Sequence, residues 1–169
     1  MAATAFLTFV VAISGCEQDE ASVPGGSIPT STPRPYFTTG EQLAAFAAQR
    51  RTALRSLAEV KPTEVAWGSM TLARSLDPTE LRLMLSDAGV DSNYYFEWIE
   101  PGTGVSGGAN KEQMADQLRD HPELRITYVK AEAPLATLLD LSLDDRIFLV
   151  DVGGTENYYG LAQSSGLIP

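Results

Sequence analysis

From Gly40 to Glu59 apolar residues return every three or four positions. Leu43, Phe46, Ala47, Leu54 and Leu57 share one face, which predicts an amphipathic helix. Pro62 ends it. Glu64 to Arg74 reads as a strand. Asp77-Pro78-Thr79-Glu80 has the form of a capping box with proline at the first helical position. The helix it predicts carries Leu81, Met84, Leu85 and Ala88, with Gly89 as its C-cap. Ser92 to Ile99 predicts a second strand dense in aromatics, and Pro101 to Ala109 a glycine-rich loop. Asn110 and Gln113 form a cap pair for a short helix with Met114, Ala115 and Leu118, stopping before Pro122. Leu124 to Lys130 predicts a third strand. Pro134 starts a helix with Leu135, Leu138 and Leu139, and Arg146 to Val152 predicts a fourth strand ended by Gly153-Gly154. The last fifteen residues show no clear period.

In order these elements read α-βαβ-α-βαβ, with two loosely similar βαβ halves. That alternation predicts an α+β fold, a ferredoxin-like split βαβ sandwich with an extra N-terminal helix and an inserted helix near residues 110 to 121. Its sheet carries helices on one face. The other face is open or covered by the first helix.

Upstream of this domain the pattern changes twice. The first fifteen residues are uncharged, and Ala5 to Ile13 is almost wholly apolar. That run is shorter than the ~18 residues a membrane span needs and suits the apolar region of a signal peptide. It departs from such peptides in having no Lys or Arg at its start, so either the start lies upstream or the peptide is atypical. Ile13-Ser14-Gly15-Cys16 resembles the lipobox of bacterial lipoproteins: an aliphatic residue, two small ones, then cysteine. The resemblance implies cleavage after Gly15, diacylglycerol on the Cys16 sulfur and often a third acyl chain on the new amine. Two or more chains anchor stably where one is marginal. The alternative is a buried N-terminal strand with a core cysteine. Residues 17–36 are rich in Pro, Ser, Gly and Thr, a composition that buries too little apolar surface to fold and reads as a tether. The organisation expected is residues 1–15 as signal peptide, 16–36 as lipidated tether and 37–169 as one domain.

Charge narrows the partners. The 169-residue chain carries a net −10. The tether holds three acids and one arginine, leaving 19 acids and 11 bases on the domain. This argues against nucleic acid, whose binders carry basic patches, and against a domain lying on anionic lipid. Cys16 is the only cysteine. An internal disulfide cannot form, and an acylated sulfur cannot serve a thiol enzyme or a metal site.

The motifs that carry chemistry are sparse. Gly104-Val105-Ser106-Gly107-Gly108 matches G-x-S-x-G between a strand and a helix, which raises an envelope serine hydrolase using Ser106 with His121, the only histidine, as base. An ordinary glycine-rich loop is the plainer account. Gly102 to Gly107 matches G-x-G-x-x-G, but it follows the second strand rather than opening a doubly wound sheet. Lys111 completes no phosphate-loop triplet. His121, between Asp120 and Pro122, reads as a solvated helix-end residue. Asp140, Asp144 and Asp145 lack EF-hand spacing and read as turn acids. Neither a metal nor a cofactor is expected.

Tyr94, Phe96 and Trp98 share one strand face, with Tyr95, Glu97 and Ile99 on the other. One face belongs to the core. The other is a candidate platform for a ligand or partner, so Tyr94, Tyr95, Phe96 and Trp98 are the candidate binding residues, with Tyr158 and Tyr159 placed to cover part of them. Residues 63–99 also resemble the extracytoplasmic domain of some anti-sigma-factor regulators, on Glu64-Val65-Ala66, the Leu76-Asp77-Pro78 turn into a leucine-rich helix, and the aromatic strand around Trp98. That resemblance implies no site residues.

The function expected is a non-enzymatic binding or interaction module outside the cytoplasm, held to the cell membrane or outer membrane by its lipid. Its partner is an envelope protein or a small ligand. The alternatives are the Ser106 hydrolase and an accessory or structural subunit of an envelope complex. By resemblance to enteric lipoproteins, Glu17 after the cysteine favours the outer membrane in a host with two membranes.

Overall fold

A capping box opens each of the first two helices in the computed structural model, which describes residues 37–90 and 92–169. The lipobox, Cys16 and the tether lie outside those residues. Thr39 accepts from the Gln42 N–H while Gln42 Oε1 accepts from the Thr39 N–H, both at 3.3 Å, starting α1 (Gly40–Val60). Asp77 accepts from the Thr79 and Glu80 N–H groups at 2.8 and 2.9 Å, and Glu80 reaches back to the Asp77 N–H at 3.1 Å. This starts α2 (Pro78–Asp87) and follows the sequence reading.

Arg74 grips the same Glu80 carboxylate. That bond, then the Asp77 N–H, pulls the Glu80 pKa down to about 2. A depressed carboxylate contributes stability above its unfolded value that is lost as pH falls through the folded one. Acidification from about 4.5 to 2 should therefore loosen α2, weakly, because the pair is half exposed and salt-screened. Urea midpoints across that window should fall less for Glu80→Gln than for the parent. Asp77→Ala should cost about 1 kcal/mol at any pH above it.

The remaining elements are β1 (Val65–Leu76), β2 (Tyr94–Ile99), β3 (Ser106–Asn110), α3 (Met114–Asp120), β4 (Arg125–Pro134), α4 (Leu135–Leu141), β5 (Ile147–Val152) and α5 (Tyr159–Ser164). The strands form one five-stranded antiparallel sheet in the order β3-β2-β4-β1-β5. The α+β class is as read from the sequence, but two elements differ. β3 occupies part of the segment read as a glycine-rich loop, and α5 forms where no period is visible.

Alternation along the strands splits the core in two. Met70, Leu72, Phe96, Trp98, Val129 and Val150 face the larger cluster, where they meet Leu81, Met84 and Leu85 of α2 and Leu135, Leu138 and Leu141 of α4. On the opposite face, Leu149 packs with Tyr158, Tyr159 and Ala162 beside α5. α1 serves both. Its early residues Leu43 and Ala47 join the smaller cluster, and Leu54 and Ala58 join the larger. α1 packs on β5 and α4. Leu57, expected on the buried stripe, is 45% exposed: the stripe follows Leu54 and Ala58 instead.

Candidate functional site

α5 covers the second sheet face only in part. Over β2 and β3 that face is partly open, and a cleft of about 450 Å³ lies between it and α5. Tyr95, Glu97 and Ile99 project into it from β2, Ser106 from β3, Thr127 from β4, and Asn157, Tyr159 and Gln163 from the C-terminal segment. All three β2 residues are half-buried.

The register explains why Thr127 is there. Glu97 pairs with Tyr128, but the next residue, Trp98, pairs with Ile126. Thr127 is therefore a bulge, which re-aims a side chain. Thr127 and Tyr128 both lie on the side of the sheet that carries Glu97, and both are buried there. The Asn157 amide donates to Glu97 Oε2 at 2.8 Å and lies 3.5 Å from Thr127 Oγ1, while its oxygen accepts from the Tyr159 N–H at 2.9 Å. This one side chain sets the cleft floor and starts α5. Beneath it, the Tyr128 hydroxyl donates to Ser69 Oγ at 2.9 Å, and Ser69 donates to the Gly154 carbonyl at 2.6 Å. Burial pushes the Tyr128 pKa up to about 12, so the phenol keeps its proton.

Beyond the cleft the open face continues across β4 to β1. Lys130 pairs with Tyr95 on one side and Ser69 on the other. Its ammonium sits 5.6 Å from the Trp67 ring centroid, a cation–π contact. Trp67 is 45% exposed and Val65 55%. An exposed tryptophan and valine thus share this sheet face with the half-buried Tyr95, with Lys130 of β4 between them.

The sequence-predicted residues divide between the faces. Tyr94, Phe96 and Trp98 are buried in the larger core. Of the four candidate binding residues Tyr95 projects from the open side, and Trp98, though buried, also contributes to the lining of the cleft. Trp67, Thr127 and Asn157 escape sequence reasoning, because separate segments bring them together. Glu97 is the signal available: a carboxylate in an aromatic strand points to the face that is not core.

Ser106 pairs with Ile99 and so shares the open face with Tyr95 and Glu97. His121 lies with the opposite face, its ring 4.4 Å from that of Trp98 and its Nδ1 3.6 Å from Glu100 Oε2. No hydrogen bond links Ser106 to His121, whose contacts are with Trp98 and Glu100. The glycine motifs form a hairpin instead: Gly102 and Gly104 take φ of 80° and 74° in the turn, and Gly107 and Gly108 lie in β3. Asp144 is held by Arg146 at 2.6 Å, which lowers its pKa. Among the described residues no group of three or more His, Cys, Asp or Glu could hold a metal ion, and no helix is long and apolar enough to cross a membrane.

The two strand glycines are occupied by aromatic rings. A Cβ on Gly107 would meet the Trp98 ring at 2.7 Å, and one on Gly108 would meet the Tyr95 hydroxyl. Rings laid across edge glycines pin register where the glycine offers no side chain of its own. The two sites should respond differently to alanine. Trp98 is buried and cannot give way, whereas Tyr95 can swing toward solvent. Gly107→Ala should cost about 1–3 kcal/mol by overpacking and Gly108→Ala under about 1 kcal/mol. Denaturant midpoints of the two variants should differ in that order; the reverse order would contradict the register of β3.

No known protein family, curated protein or solved structure matches this chain.

Proposed function

We propose that this chain is a lipid-anchored extracytoplasmic binding module, non-enzymatic, that takes an envelope protein or small ligand on the open face of its sheet. The anchor rests on the lipobox resemblance around Cys16. The binding role rests on one observation: Trp67, Tyr95 and the Glu97–Asn157 floor lie on a sheet face that α5 leaves uncovered. We also propose a ferredoxin-like split βαβ sandwich. With β3 set aside the strand order is β2-β4-β1-β5, all antiparallel, and α2 and α4 both pack on one face. β3 would then be an added edge strand and α3 the inserted helix.

The test is a photo-crosslinking amino acid placed at Tyr95 in the anchored protein in its own cells. Leu83, 57% exposed on α2, is the control position, and Cys16→Ala is the unanchored control. A defined adduct from position 95, absent at 83 and lost with Cys16→Ala, is the expected result. Equal labelling at 83 and 95, or none at 95, would remove the open face as the site. Mass spectrometry of the mature N-terminal peptide checks the anchor separately: an N-terminus other than Cys16, or a Cys16 without lipid, overturns it.

Ser106 also lies in this cleft. A fluorophosphonate probe should leave it unlabelled, since no hydrogen bond joins it to His121. Labelling at Ser106 would replace the binding reading with a hydrolase.

A further inference from the structure

On the opposite side of the sheet, between α2, the start of β2 and α3, lies a second cleft of about 340 Å³. This is the lower end of the size range of small-molecule sites. Its walls are largely apolar: Pro78 from α2, the Tyr94 ring, and Met114, Ala115 and Leu118 from α3. Arg82 and Lys111 also line it, against one lining carboxylate, Glu112. In a chain of net charge −10, two cations lining one largely apolar cleft run against the general composition.

Tyr94 carries an unfinished bond. Tyr94 is 3% exposed, and its hydroxyl is buried with no hydrogen-bond partner. Buried polar groups are nearly always paired, and a specific exception calls for an explanation. The Arg82 charge bears on this phenol, opposing the rise in pKa that burial causes. The Lys111 ammonium lies 5.7 Å from the centroid of the Tyr94 ring. Asp77 already occupies the first N–H groups of α2, so the helix end is not the recognising element. What remains is a buried, unpartnered donor on a residue that lines an apolar cleft, with the Arg82 guanidinium lining the same cleft.

We infer that this cleft binds a small amphiphile with an anionic head, such as a medium-chain carboxylate. The head would accept from the Tyr94 hydroxyl and pair with Arg82, and the tail would lie against Met114, Ala115 and Leu118. Tyr94 is thereby returned to the candidate binding residues, from the helix side of the sheet. This inference does not depend on the open-face reading, and each can fail alone.

The test uses octanoate as probe and octylammonium as the charge control, titrated into the full chain carrying Cys16→Ala and followed by NMR. Octanoate should shift the signals of Tyr94, Arg82, Met114 and Leu118, with octylammonium at least 10-fold weaker. Tyr94→Phe keeps the ring and removes only the donor. Arg82→Ala changes an exposed side chain, so neither variant threatens the fold. Each should weaken octanoate about 10-fold, the usual loss for one bond to a charged group, and leave octylammonium unchanged. Equal binding of the two probes, shifts elsewhere, or octanoate binding that neither variant alters would each overturn the inference, as would no octanoate shift at millimolar concentration.

Discussion

Phe96→Ala should destabilise the fold by about 3–5 kcal/mol, the cost of emptying an aromatic site in a packed core. Its neighbour's variant, Tyr95→Ala, should cost under about 1.5 kcal/mol. The two residues are adjacent in sequence and chemically alike, so only the side of the sheet separates them. Phe96 is fully buried. It pairs across β2 with Val129 of β4 and Ala109 of β3, and its ring is 6.4 Å from that of Tyr94. α2 and α4 close the cluster above it, and removal of the ring leaves a cavity that these helices cannot fully collapse into. Tyr95 has the cleft on one side and covers the bare backbone of Gly108. Chemical unfolding of both variants reads the difference directly. Equal losses would mean that the open face is covered, and the proposed site would go with it.

That contrast also marks how far the sequence could be read. Alternation in Tyr94–Ile99 separates two faces without saying which is core, because both carry aromatics. The decision is made by helices whose leucines lie elsewhere in the chain. The α2 cap is legible because Asp77, Pro78 and Glu80 satisfy the helix end among themselves. β3 is not, because Ser106-Gly107-Gly108-Ala109-Asn110 has almost no side-chain pattern. Its order comes from Trp98 and Tyr95 lying across the glycines, which is information held by β2. α5 escapes for a similar reason. It is six residues long, too short for a period to register, and it is held by burial of Tyr158, Tyr159 and Ala162 against Leu43 and Leu149. The cleft inherits both problems: β3 and the α5 segment form two of its walls, and the bulge that brings Thr127 into it exists only in the pairing of β2 with β4.

The second large effect concerns a charge the sequence does not single out. Asp151 lies on β5 with its side chain 7% exposed, and Arg50 of α1 reaches it at 3.1 Å. The two atoms attract as charges, but the geometry is not that of a hydrogen bond, and both are buried without a bonded partner. Arg50 is held over the Phe46 ring at 4.9 Å. Burial raises the Asp151 pKa, and Arg50 is the charge that opposes the rise. A carboxylic acid with a raised folded pKa contributes stability that is full below its unfolded value, about 3.9, and is lost as pH rises through the folded value. Arg50→Met removes the opposing charge, so the Asp151 pKa should climb further and the loss should extend toward neutral pH. Breaking a buried pair from one side costs ~3–5 kcal/mol. Arg50 is 35% exposed, so solvent screening reduces the expected loss to about 2 kcal/mol near pH 7. Near pH 4, where Asp151 is protonated in the variant, most of that loss should disappear. Adding Asp151→Asn to Arg50→Met should restore stability at pH 7 and flatten the profile. Thermal or urea unfolding of the single and double variants between pH 4 and 8 provides the check. A pH-independent loss, or a double variant no more stable than Arg50→Met, would mean that Arg50 matters for its contact with Phe46 rather than for its charge.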